Sequence, residues 1–191
     1  MTDLIVGLDS WVIQDGNYGE FKRGMTSSFA LEFSPMVPIR ICGRFDKKAL
    51  LLVHLVENAY EVVGQVMHVG SDWWALDVGL ILYRDESPPA DIGVGTWLHG
   101  PVSIGIDPFP YFERHGHVSG APALIYDWKI DKIERQTSPW IETQPGQMQR
   151  DLDKLGLEEV IETKAWGNDE EYLLHCTRLD GPRWPKSRDR P

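Results

Sequence analysis

The stretch Tyr60–Tyr83, YEVVGQVMHVGSDWWALDVGLILY, decides the fold. Its apolar side chains recur at every second residue, which is the period of a half-buried strand and not of a helix. Tyr60–Val69 reads as a strand with Gly64 inside it, and a glycine there signals a bulge, a bend or a close backbone approach. Gly70-Ser71-Asp72 supplies a turn. Trp73–Tyr83 then sets Trp74, Leu76, Val78, Leu80 and Leu82 on one face. Trp73, Ala75, Asp77, Gly79, Ile81 and Tyr83 fall on the other.

The same period continues outward. Leu4–Ile13 and Ser27–Phe33, separated by the turn cluster QDGNYG, read as a paired N-terminal hairpin. Ile39–Phe45 alternates again. Leu50–Leu55 is a run that composition does not assign to helix or strand, and it is taken as a strand. Thr96–Ile106 reads as a strand bent at Gly100-Pro101. Ala123–Gln136 alternates until the phase slips at Ile133, which predicts a bulge near Asp131-Lys132.

Towards the C-terminus, residues 137–146 read as an irregular connector, and Gln147–Gly156 as the one short helix, stopped by its glycine. Leu157–Trp166 and Glu171–Leu179 read as a closing hairpin around Gly-Asn-Asp. The expected class is mainly β: a curved, partly open antiparallel barrel of the OB-like kind, with added N- and C-terminal hairpins. Residues 1–180 form one β-rich domain with its barrel core at about 39–136. Residues 181–191, with three prolines, four basic residues and one acid, form a flexible basic tail.

Bulk chemistry narrows the function. The 191 residues carry a formal charge of −10. An acidic surface repels phosphates, so nucleic acid is an unfavoured partner, and a basic protein is the easier one to steer in. The acid-bearing start of the chain has no basic segment before its apolar residues, so it does not read as a signal peptide. Its apolar runs are too short to span a bilayer, and the expectation is a cytoplasmic protein that engages no membrane. Cys42 and Cys176 have no metal spacing and read as buried reduced thiols. Eight tryptophans suit either a β core or a binding surface.

Two constellations could carry chemistry. Asp107, Glu113, His115 and His117 lie in GIDPFPYFERHGH (residues 105–117), and His115 and His117 would share a strand face and could chelate an ion. The competing reading is a loop stiffened by Pro108 and Pro110, with Asp107 accepting turn N–H groups. Phe109, Tyr111 and Phe112 then close the barrel as a plug, or form a lip for a ligand, and ERHGH is an exposed tip. Asp77 and Asp127 each sit within an apolar strand. They form an acid/base pair if they meet in a cavity, or a solvated outer ladder if they do not. No nucleophile elbow, phosphate loop or dinucleotide fingerprint occurs, and no cofactor is implied. The leading expectation is a non-enzymatic domain that binds a protein partner in the manner of an inhibitor or immunity protein. The alternatives are a barrel binding a small molecule or oligonucleotide through Trp73, Trp97 and the loop aromatics, and a hydrolase or metal enzyme.

Overall fold

The computed structural model describes residues 3–44, 46–144, 146–151, 154, 156–166 and 171–186. In chain order the elements are β1 (Asp3–Asp9), α1 (Ser10–Gln14), β2 (Thr26–Phe29), β3 (Leu31–Pro35), β4 (Arg40–Ile41), β5 (Leu51–Val56) and β6 (Ala59–Val69). There follow β7 (Trp74–Asp77), β8 (Ile81–Arg84), β9 (Trp97–Ile106), α2 (Pro110–Glu113), a 3-10 turn (His115–His117) and β10 (Ile125–Gln136). The chain ends in β11 (Trp140–Gln144), β12 (Gln147–Arg150), β13 (Leu157–Val160) and β14 (Glu171–Arg183).

Five strands close into a barrel, in the ring β6–β7–β8–β3–β9 and back to β6. All the pairs are antiparallel except β3–β8. This is the ring of an OB barrel with its chain cut at a different point, because the strand in the fifth place, β3, comes first in the sequence. The ring is closed where a partly open one was expected. The cause is β6: its eleven residues are long enough to pair β9 over Ala59–Gln65 and β7 over Gln65–Val69. Gly64 stands at the changeover. A Cβ there would lie 2.6 Å from the Asp77 carbonyl oxygen, so only glycine lets β6 and β7 approach.

The faces read from the sequence hold. Trp74, Leu76, Val78, Leu80 and Leu82 are all buried in the main core. The stretch is a hairpin and not one strand, however, with Gly79 at φ +97° in its turn. The predicted bulge is present, as a register shift between Ile130 and Lys132.

Several pairings differ from expectation. β1 does not pair with the Ser27–Phe33 strand: it lies antiparallel to β14 and touches β9 in parallel at Gly7–Gly105. Ser10–Ile13 is part of α1, not of that strand. β14 runs between β1 and β10, and β13 pairs with the far side of β10, so no β13–β14 hairpin exists. β10 lies outside the ring, whose strands run from Leu31 to Ile106. The predicted helix begins instead as β12, the second arm of a hairpin with β11, because Gly146 at φ +77° makes a turn; residues 152, 153 and 155 lie outside the described residues. Gly181–Arg183, counted in the tail, are the end of β14, and residues 187–191 lie outside the described residues.

A second, smaller core sits outside the ring. Trp73, just before β7, and the outward side chains Ala75 of β7 and Tyr83 of β8 are roofed by Tyr111, Leu124 and Ile125 from the segment that follows β9. An OB barrel presents this same strand face to oligonucleotides. Here the chain covers it with its own loop.

Candidate functional site

The roof is pinned by one buried carboxylate. β9 delivers Asp107, which has no exposed surface. Its Oδ1 accepts the N–H groups of Phe109 (2.9 Å) and Tyr111 (3.4 Å) and the Tyr83 hydroxyl. The Asp-Pro turn is therefore built as its sequence implies. Burial pushes the Asp107 carboxyl up to about 7, and the donors from Tyr83, Tyr111 and Phe109 only partly oppose this. Its Oδ2 is buried without a partner among the described residues. Burial, and then the nearby Asp107 charge, also push the Tyr18 hydroxyl up.

Tyr111 is the plug. It is fully buried, and its hydroxyl donates to the Pro122 carbonyl (2.6 Å) and accepts from Leu124 N–H (3.2 Å). Trp73 is 2 % exposed, stacked on His115 at 4.8 Å and edge-on to Tyr111 and Tyr83. It is a core residue and not part of an open binding surface. Phe109 and Phe112 instead stack on each other, half-buried, with centroids 4.9 Å apart. Phe109 holds φ +89°, a left-handed conformation that costs a residue with a Cβ on the order of 1 kcal/mol. The loop thus turns Tyr111 inward as a plug and leaves Phe109 and Phe112 half-buried at its lip, where Tyr18 meets both rings edge-on and Phe112 packs against the second core. Trp97 lies half-buried on β9, its carbonyl accepting Cys42 N–H at 2.8 Å.

The four metal candidates are not brought together. His115 is buried and its Nε2 contacts Asp85 Oδ1 at 2.6 Å, so it is no exposed tip. Its ring fills the space beside Trp73, which is why the turn folds inward. The His117 Nε2 bonds the Phe112 carbonyl at 2.9 Å, and Glu113 is exposed. Among the described residues no group of three His, Cys, Asp or Glu side chains could hold a metal ion.

The two strand acids also part. Asp77 Oδ1 accepts Gly79 N–H (2.8 Å) and caps the β7–β8 turn. Asp127 pairs with Arg183 at 2.7 Å and accepts from Ser28. Burial acts to raise its carboxyl, but Ser28 and Arg183 hold it below its ordinary value. Each acid has a structural partner set of its own. Both cysteines are free and buried.

Two surfaces were not foreseen. The first is a groove beside the lip, of about 260 Å³, walled by Phe109, Phe112, Ile125 and Trp184 and edged by Arg183 and Lys186. The second is the β5 edge. Leu51, Val53 and Leu55 point outward on a strand that, among the described residues, pairs only with β6, and they are 39 %, 46 % and 51 % exposed. Leu52, on the opposite face, packs against the main core.

Fold and surface together define an acidic β-barrel protein of OB-like ring topology, with its outer barrel face roofed and one apolar edge strand bare. No protein family, no curated protein and no solved structure matches the chain. Among the described residues, no helix is long and apolar enough to cross a membrane.

Proposed function

We propose that this chain is a non-catalytic binding protein that takes an extended segment of a basic partner protein alongside β5. The observation that carries this reading is the strand itself. Edge strands are ordinarily blunted by proline, charge or a covering element. Leu51–Val56, LLVHLV, has no proline, Lys, Arg, Asp or Glu and no covering element among the described residues, and its outward side chains are apolar. A partner strand gains main-chain hydrogen bonds along the edge and pockets for alternate side chains, which is the logic of strand addition.

Charge selects the partner. Two copies each carrying −10 repel, whereas a basic chain is drawn in. The role this fits is that of an inhibitor which neutralises a basic target. Oligonucleotide binding has less support, because the face it would need is roofed and the overall field is repulsive.

The test uses the immobilised protein and a native extract, at low and high salt, beside a Val53→Lys/Leu55→Lys double variant. Both positions are exposed, so the variant keeps its fold. The expected result is a basic protein held at low salt, lost from the variant by at least ~10-fold, whose complex protects the β5 amides from hydrogen exchange. Three results overturn the reading: retention of no basic chain, equal retention by the variant, or unchanged β5 exchange. A doubled mass in light scattering with protected β5 amides would also overturn it, in favour of self-pairing.

A further inference from the structure

We propose that the groove between the Phe109–Phe112 pair and Trp184 is a binding site for a planar aromatic anion, such as an aromatic carboxylate. The site is independent of the β5 edge. Its wall is assembled by the chain's last described residues, which four contacts fix in place. Arg183 Nη2 holds Asp127 Oδ1 (2.7 Å) and Ser28 Oγ (2.9 Å). The Trp184 indole N–H donates to the Ala121 carbonyl (2.8 Å). Pro185 seats directly on Gly116, where an added Cβ would lie 2.6 Å from the proline ring.

Such anchoring leaves Trp184 in an unusual condition. Its polar atom is satisfied by the protein, yet 59 % of its surface is exposed. Opposite it, Phe109 is held at positive φ with its ring stacked on Phe112. An aromatic held still and left uncovered offers its face to a ligand ring without the ordering entropy a free side chain would lose. Backbone strain that positions such a ring is a recurring mark of ligand clamps.

The rim supplies the sign of charge. The Arg183 hydrogen bonds all leave from Nη2, so its other nitrogens have no partner among the described residues. Lys186 stands at the same rim without an ion pair to a described residue. Asp127 balances the Arg183 charge, so Lys186 is the cation left to this apolar groove, and it favours a local anion against the overall field of a chain of net charge −10. A volume of about 260 Å³ admits one ring or a fused pair.

The probe is naphthalene-2-carboxylate, titrated into the whole protein, with naphthalene-2-carboxamide as its neutral counterpart. The readout is the Trp184 indole N–H resonance, assigned by its loss in Trp184→Ala, together with calorimetry. The expected result is saturable movement of that resonance with Kd near ~0.3 mM, and binding of the amide at least ~5-fold weaker. Lys186→Glu weakens the carboxylate several-fold without lowering the melting temperature, since the side chain is exposed. Absence of saturation up to several millimolar, or equal binding of acid and amide, overturns the proposal. So does undiminished calorimetric binding in Trp184→Ala, which would place the ligand elsewhere.

Discussion

Asp107→Asn is expected to be more stable than the parent protein at pH 8, with the advantage disappearing towards pH 4. The parent buries a carboxyl whose folded value, about 7, stands above its ordinary 3.8. A group raised on folding contributes stability that is fully present below its unfolded value and is lost as pH rises through the folded value. The contribution of Asp107 therefore falls between about pH 4 and 7 and is flat above. Three units at 1.36 kcal/mol each make the loss about 4 kcal/mol, as an order of magnitude.

Asparagine has no charge to bury and retains the Oδ1 acceptor for Phe109, Tyr111 and Tyr83. Its amide group takes the place of the unpartnered Oδ2, at a cost that does not vary with pH. The difference in stability between the two proteins should thus change by about 4 kcal/mol from pH 4 to pH 8. The Glu32 charge is among the causes that raise Asp107, so its repulsion is already contained in that figure. Asp127, Asp131 and Glu134 are held below their ordinary values, so they contribute the opposite slope, and they do so in both proteins. Urea unfolding of the pair at several pH values reads the difference directly. Parallel curves would mean that Asp107 is ionised in the folded state across this range.

What could be read from the sequence follows from how far its signals reach. Period-two alternation is local, so it marked the core face of Trp73–Tyr83 correctly even though the segment folds back on itself. The tight turn at Gly79 keeps the phase, leaving Val78 and Leu80 both in the core. Pairing is not local. β14 arrives from more than 160 residues beyond β1 and lies between it and β10, an arrangement no short window encodes. The helix-like composition of Gln147–Gly156 is a local signal too, and Gln147–Arg150 are a strand because they pair with β11.

The site residues divide in the same way. The Asp107-Pro108 turn was legible because the capping carboxylate and its amides lie within four residues. Its burial was not, since that depends on Tyr83 and on the roof. Leu51–Val56 reads as a buried strand because five of its six residues are apolar and such runs ordinarily are core, and only the fold shows that its outer face has no cover among the described residues. Trp184 was hidden by its setting. A basic, proline-bearing terminus has the composition of a disordered tail. The contrary signal was a tryptophan between two prolines in GPRWPK, a stiff backbone carrying a large ring, which loses little entropy when it docks.

Trp73→Ala is expected to remove roughly 3–5 kcal/mol of stability, the range for deleting a large buried aromatic side chain. The loss exceeds that of an ordinary core substitution in its consequences, because Trp73 joins two layers. It leaves the β6–β7 turn, stacks on His115 in the roof and lies edge-on to Tyr83 and Tyr111. His68 packs on its other side at 4.2 Å. With the indole gone, the roof keeps the Asp107 hydrogen bonds and the Arg114–Asp85 pair but loses its apolar seat. An exposed ion pair of that kind holds the segment by about 1 kcal/mol at most. The melting temperature should fall by roughly 6–20 °C for a chain of this length. Local opening should exceed global unfolding, since the main core inside the ring is untouched. Trypsin gives the distinguishing readout: Arg114 lies exposed in the roof, so cleavage after it should become at least ~10-fold faster at a temperature where β9 and β14 still resist exchange. Trp166→Ala, at a residue 76 % exposed, should stay within about 0.5 kcal/mol of the parent. If Trp73→Ala behaved as Trp166→Ala does, the roof would not be seated on the barrel through this ring, and its polar contacts through Asp107 and Asp85 would have to hold the covered face.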